Sequence, residues 1–244
     1  MDMKQSVRGF VYSHPSIRDA WLKSQKVKRR LLYLTDYGIW DWFFDKWNGI
    51  ESAAVIPGEF NLNRPNGADA TDYLPVRPPI FLRALSSLKI DYPKYVFVDV
   101  GSGKGRAVFL ASRFPFHKLI GVELAKELHE KARKNSRVWH VDDPRRITFV
   151  WKDIAEFEFP PEPLVLFLYH PFGPDMMRVL LDRIRSSIEK CPREVIMIYV
   201  NPENEFVIGS CFPTAELMLS FAGRYSYIAY RLSSPPPAQP KEAV

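Results

Sequence analysis

The stretch that most constrains this chain runs from Tyr95 to Glu123 and reads YVFVDVGSGKGRAVFLASRFPFHKLIGVE. Its opening residues, Tyr95 to Val100, are apolar except for Asp99 and rich in β-branched and aromatic side chains, as a buried parallel strand requires. Glycines at positions 101, 103 and 105 break that run. From Arg106 to Arg113 apolar residues return at helical spacing, with Val108, Ala111 and Phe114 on one side, and Pro115 stops the helix. A second apolar run, Lys118 to Val122, ends on Glu123. Strand, glycine turn, helix, strand and acid make one βαβ unit, which is right-handed by default.

A glycine turn after a strand lets the backbone approach a ligand closely, because no Cβ intervenes. The helix that follows offers free N–H groups and a partial positive charge. Glu123 ends the neighbouring strand, beyond which open α/β sheets bind ligands, and its carboxylate can accept two hydrogen bonds from a ribose diol. The unit therefore points to a nucleoside-containing cofactor. A dinucleotide fingerprint is G-x-G-x-x-G, and here the third glycine comes one residue early. The G-x-x-x-x-G-K-[ST] phosphate loop does not occur at all.

With Asp99 two residues before the first glycine, the run D-x-G-x-G-x-G resembles the first motif of the class I S-adenosylmethionine-dependent methyltransferases. The resemblance implies that Asp99 helps hold the methionine ammonium of that cofactor, and that Gly101, Ser102, Gly103, Gly105, Glu123 and Leu124 line its site. The alternative reading is a plain strand-to-helix turn with a solvated Glu123.

The N-terminal part differs in composition. Lys23, Lys26, Lys28, Arg29 and Arg30 form a basic cluster, and an aromatic segment follows from Leu31 to Trp47. Trp40, Phe43, Phe44 and Trp47 fit the stripe of an amphipathic helix, interrupted by Asp36, Asp41, Asp45 and Lys46. One reading packs these aromatics on the main domain or on a second copy. The other lays the helix on a membrane surface, since basic residues beside Trp and Phe suit a headgroup region. The net charge of +6 also permits nucleic acid, although aromatic and basic residues are not interleaved as in an RNA-binding signature. Residues 61–72 are turn-rich and read as a linker or active-site loop. Tyr73-Leu74-Pro75 resembles a Y-x-P segment of a methyltransferase subgroup that includes certain protein-lysine methyltransferases. It implies that Tyr73 lies over the methionine end of the cofactor, with Arg77 in reach of a carboxylate. An ordinary Pro-rich loop is the other reading.

Further strands are expected at Ile147 to Trp151, Leu164 to Leu168 and Glu194 to Val200. Helices are expected from Ile80 to Leu88, Lys126 to Val138 and Pro174 to Lys190. A terminal antiparallel hairpin, Ala215 to Phe221 with Ser226 to Leu232, turns around Gly223. The family resemblance gives Asp153 and Ile154, after the third strand, contacts to the adenine; the alternative for Asp153 is an N-cap. Tyr169-His170-Pro171-Phe172-Gly173, after the fourth strand, takes the place of the [ND]-P-P-[YF] motif of methyltransferases acting on nitrogen. It is nearer to an N-P-F-G variant of poorly characterised bacterial members that also carry GSGKGR. It departs from both at His170. That imidazole can accept a proton near neutral pH or orient the acceptor, and Tyr169 or Phe172 can stack on a planar group.

The expected architecture is an α/β, Rossmann-like, mostly parallel sheet over residues 71–232, preceded by a helical extension, 1–70, and followed by a Pro-rich disordered tail, 233–244. The expected activity is methyl transfer from S-adenosylmethionine to an amine of a small molecule or a protein lysine, with Tyr169 and His170 at the reacting end. A non-catalytic cofactor-binding scaffold and a nicotinamide-dependent oxidoreductase are the competing readings. No apolar run spans a bilayer, and the two cysteines form no disulfide or metal pattern, so a cytoplasmic location is expected.

Overall fold

The computed structural model describes residues 38–53, 73–169, 173–223 and 225–233, together with Ser16, Ala20 and Ser24. The helices α1 (Gly38–Asn48) and α2 (Pro78–Ser87) precede the sheet. β1 (Val96–Val100) leads through the glycine turn into α3 (Arg106–Ala111) and β2 (Lys118–Glu123). Then come α4 (Lys126–Ser136), β3 (Ile147–Trp151), β4 (Leu164–Tyr169), α5 (Pro174–Lys190) and β5 (Val195–Val200). The described chain closes with α6 (Glu205–Cys211), β6 (Glu216–Phe221) and β7 (Tyr227–Leu232). The sequence reading missed α6, whose seven residues include Gly209 and Ser210 and carry little periodicity.

The seven strands lie in the order β3-β2-β1-β4-β5-β7-β6. β1 to β5 run parallel, and β7 inserts antiparallel between β5 and β6. The expected mostly parallel sheet with its terminal hairpin is present. Strand direction of winding reverses between β1 and β4, and beyond that point an open α/β sheet has its ligand crevice.

Alternation along β1 divides the core in two. Val96, Val98 and Val100 face a layer made by Met177, Leu180, Leu181, Ile184 and Ile188 of α5 with Val207 and Ile208 of α6. Phe97 faces the other way, against Phe81, Ala84 and Leu85 of α2 and Val108 and Leu110 of α3. Phe81, Phe97 and Phe167 form an aromatic cluster there, with ring centroids 4.8–6.2 Å apart. Covered on both faces, β1, β4 and β5 are almost wholly buried, which is why they read as apolar runs, broken only by Asp99 in β1. Pro78 and Pro79 occupy the first turn of α2, where a missing N–H costs nothing.

Candidate active site

The turn after β1 is held by backbone and by Glu123. The N–H groups of Gly101 and Ser102 both donate to the Val122 carbonyl at 2.9 Å, and Gly105 N–H donates to the Ser102 carbonyl at 2.8 Å. Gly103 N–H donates to Glu123 Oε2 at 2.7 Å, while Ala125 N–H donates to Oε1 at 2.7 Å. Gly101, Gly103 and Gly105 all have positive φ, at 76°, 54° and 91°. At Gly103 and Gly105 space adds to that constraint. A Cβ on Gly103 would lie 2.1 Å from the Tyr73 ring, and one on Gly105 would lie 2.7 Å from the Phe149 ring. Ser102 Oγ is buried and has no hydrogen-bond partner among the described residues.

Two carboxyl groups converge beside this turn. Asp99, buried in β1, is pushed well above the usual carboxylate range, first by burial and then by the charge of Glu123. Burial also raises Glu123, against the pull of the Ala125, Gly103 and Leu124 N–H groups. Among the described residues no base or cation bonds to Asp99 directly, so the pair favours either a proton or a cationic ligand. The Glu123 carboxylate keeps acceptor capacity beyond these backbone bonds.

Tyr73 and the segment 38–53 close over the turn. The Tyr73 hydroxyl donates to the Ser52 carbonyl at 2.8 Å, and its ring rests on Gly103. Burial raises its pKa, so the phenol is neutral. Beneath the segment lies Arg106, the residue after the last glycine and only 2% exposed. It pairs with Asp41, reaches Asp45 at 3.3 Å and donates from Nε to Ser52 Oγ at 2.7 Å. Its guanidinium also lies 4.9 Å from the Phe44 ring centroid. Asp45 in turn accepts from the Ser52 and Ala53 N–H groups at 2.6 and 2.5 Å. Burial raises Asp41 despite its pairing with Arg106. Lys104 Nζ donates to the Ala53 carbonyl at 3.2 Å, and Asn135 holds both the N–H and the carbonyl of Glu51.

This docking inverts the amphipathic stripe expected for α1. The acids Asp41 and Asp45 face inward, Phe44 is half-buried, and Trp40, Phe43 and Trp47 stand in solvent. A buried guanidinium explains the inversion, because it requires carboxylates more than the aromatics require cover. Arg106, Asp41, Asp45, Ser52, Lys104 and Asn135 escaped the sequence reading. The available signal was the i, i+4 spacing of Asp41 and Asp45, which puts both on one helical face.

Of the remaining expected residues, Leu124 is partly exposed after β2, and its carbonyl accepts from Trp151 Nε1 at 2.8 Å. Asp153 caps the short turn at Ile154–Glu156, accepting from Ala155 N–H at 3.0 Å, and Ile154 is buried. The N-cap alternative is thus realised, beside any other use of that carboxylate. Arg77 stacks on Tyr225 at 5.3 Å. Tyr169 ends β4, half-buried, beside the β1 end. His170, Pro171 and Phe172 lie outside the described residues, as do the turn-rich stretch 61–72, the basic cluster and the tail after residue 233.

The chain therefore has the sheet topology of the class I methyltransferase fold. A solved S-adenosylmethionine-dependent O-methyltransferase from Thermotoga maritima superposes with a TM-score of 0.52 at 17% identity, over 67% of this chain and 68% of that one. An RNA methyltransferase from Salinibacter ruber, solved with S-adenosyl-L-homocysteine, gives 0.49 at 19% identity, over 68% of this chain and 97% of that one. At these identities the likeness is one of fold. No family model matches the sequence, and no curated protein does. Among the described residues no helix is long and apolar enough to cross a membrane.

Proposed function

We propose that this chain transfers a methyl group from S-adenosylmethionine to an amine, carried by a small molecule or a protein lysine. The observation that carries the proposal is the pair of buried carboxyl groups, Asp99 and Glu123, against a turn of three left-handed glycines. A cationic ligand relieves such a pair, whereas the pyrophosphate of a dinucleotide adds to its repulsion. The third glycine of the turn, Gly105, also comes one residue too early for the dinucleotide fingerprint. The alternative of a nicotinamide cofactor is disfavoured on the same grounds.

When bound, S-adenosylmethionine supplies a methyl group on a good leaving group, so alignment and exclusion of water are the protein's main tasks. Asp99 takes the ammonium, with the unpartnered Ser102 hydroxyl available to the methionine end. Gly101, Gly103 and Gly105 bring bare backbone to the ligand, and Tyr73 covers it. Glu123 uses its spare lone pairs on the ribose, Leu124 lies beside it, and Asp153 and Ile154 receive the adenine. Tyr169 and His170 then face the acceptor, His170 taking its proton or orienting its lone pair.

Calorimetric titration of S-adenosylmethionine, with NAD as comparison, tests the site. Binding of the first and not the second, weakened at least tenfold by Glu123→Ala, is expected. Binding of NAD alone would overturn the reading. For the acceptor end, His170→Ala should lower turnover with amine acceptors and flatten its pH profile. Tight cofactor binding with no transfer to any amine would instead make the chain a binding module.

A further inference from the structure

The outward side of α1 has no part in the proposed reaction. Its arc runs through Trp42, Lys46, Phe43, Trp47 and Trp40 in order around the helix axis. Trp40 is 70% exposed, Trp42 54%, Phe43 55% and Trp47 91%. Trp42 and Phe43 meet edge to face, and Lys46 Nζ lies 5.8 Å from the Trp42 ring. Both acids of the helix are turned inward onto Arg106, so the arc carries no negative charge. Soluble chains seldom leave four aromatic side chains together in water.

We infer that this arc is a membrane-contact surface, seating in the headgroup region of an anionic bilayer. Charge complementarity selects that occupant. In the sequence before the helix come Lys23, Lys26, Lys28, Arg29 and Arg30, and the whole chain is at +6. Trp47 also walls a cleft of about 360 Å³ whose lining includes Arg113, Trp139 and His140 as well as Asp142. The Arg113 guanidinium lies over the Trp139 ring there, a combination suited to a phosphate headgroup at the end of the arc. Trp and Phe on one side with Lys at the border is the pattern of a helix lying in the interface, with each nearby basic residue strengthening binding about fivefold. A second copy fits less well. The helix is about 16 Å long, and its arc of five side chains falls short of the roughly 20–30 residues a stable dimer engages on each side. The helix lies across Arg106 from the glycine turn, so the surface would hold the cofactor site next to the bilayer.

The test is co-sedimentation of the full chain with vesicles of phosphatidylglycerol and phosphatidylcholine, against phosphatidylcholine alone. Binding to the anionic vesicles is expected, weakened by salt and accompanied by a blue shift of Trp emission. Brominated lipid should quench that emission in the unaltered chain. The triple variant Trp40→Ser, Phe43→Ser, Trp47→Ser should lose at least tenfold in affinity, with its melting temperature unchanged. Three outcomes overturn the inference: no vesicle binding at low salt, binding that the triple variant retains, or binding without quenching by brominated lipid. A dimer or an RNA oligonucleotide complex that the triple variant alone abolishes, without vesicle binding by the parent chain, would assign the arc to that partner instead.

Discussion

Phe167 in β4 and Arg106 beneath α1 are both almost wholly removed from water, at 1% and 2% exposure, but they hold their neighbours differently. Phe167 sits among Phe81 and Phe97, in a layer where any apolar group of the right volume contributes. Arg106 is useful only while Asp41, Asp45 and Ser52 surround it. Burying one of these ions without the others is far costlier than burying none. The sheet is thus a continuous apolar core, whereas the strap over the glycine turn, residues 38–53, is held chiefly by a polar latch, with only Phe44 and Ile50 packed on Phe109 and Trp139. The strap can therefore leave without unfolding the sheet, as segments outside the main core do.

The largest effect is expected on the sheet side. Phe167→Ala should cost about 3–5 kcal/mol and lower the single global transition in chemical denaturation. Arg106→Met, by contrast, leaves two carboxylates without their partner, a cost of up to about 3–5 kcal/mol if the strap stayed docked. Release of the strap caps that cost. Hydrogen exchange should then show lost protection over residues 38–53 with β1, β4 and β5 still protected. Loss of protection throughout the sheet would erase the distinction between the two regions. Adding Asp41→Asn and Asp45→Asn to Arg106→Met should recover part of the docking, because no buried charge remains uncompensated.

The same contrast explains what could be read from the sequence. β1, β3, β5, the hairpin and the helix over 174–190 follow from periodicity, because burial of apolar faces is what periodicity records. The glycine turn was legible too, since three glycines at this spacing after a strand leave little else. The strap was not. Asp41 and Asp45 looked like interruptions of an aromatic stripe, because nothing near them in sequence announces Arg106, more than sixty residues on. Ion pairs across such distances leave no period. The hold of Glu123 on Gly103 N–H was equally invisible: a carboxylate at a strand end looks the same whether it meets a ligand or a backbone.

At the seam between the regions, Gly103→Ala should act on both. Its φ of 54° disfavours a Cβ by about 1–2 kcal/mol, and that Cβ would strike the Tyr73 ring. Cofactor binding should fall at least tenfold by calorimetry. Tyr73→Ala added to Gly103→Ala should return stability but not the cover over the ligand. If the double variant is no more stable than the single one, the Tyr73 contact is not what Gly103 accommodates.

A smaller effect is expected at Asp99. Its folded pKa lies above its unfolded one, so the folded chain holds the extra proton and stability falls as pH rises from the usual carboxylate range through the folded pKa. Asp99→Asn removes that fall. At neutral pH the variant should melt higher than the parent without cofactor, by about 2–4 °C for each kcal/mol relieved, while binding S-adenosylmethionine more weakly. Near pH 4 the two should converge. Parallel melting curves across that range would show that the ligand-free site does not store the repulsion.

The smallest effect marks the outer boundary of the strap. Trp47 is the larger side chain, but Phe44 is the one that touches Arg106 and Trp139. Trp47→Ala should change stability by no more than about 0.5 kcal/mol, as expected of a side chain that folding leaves in water. Phe44→Ala should cost clearly more and loosen residues 38–53. Equilibrium denaturation of both variants, with exchange protection over the strap, separates them. If Trp47→Ala proves as costly as Phe44→Ala, the outward arc belongs to the folded core, and both the polar-latch account and a free aromatic surface fail together.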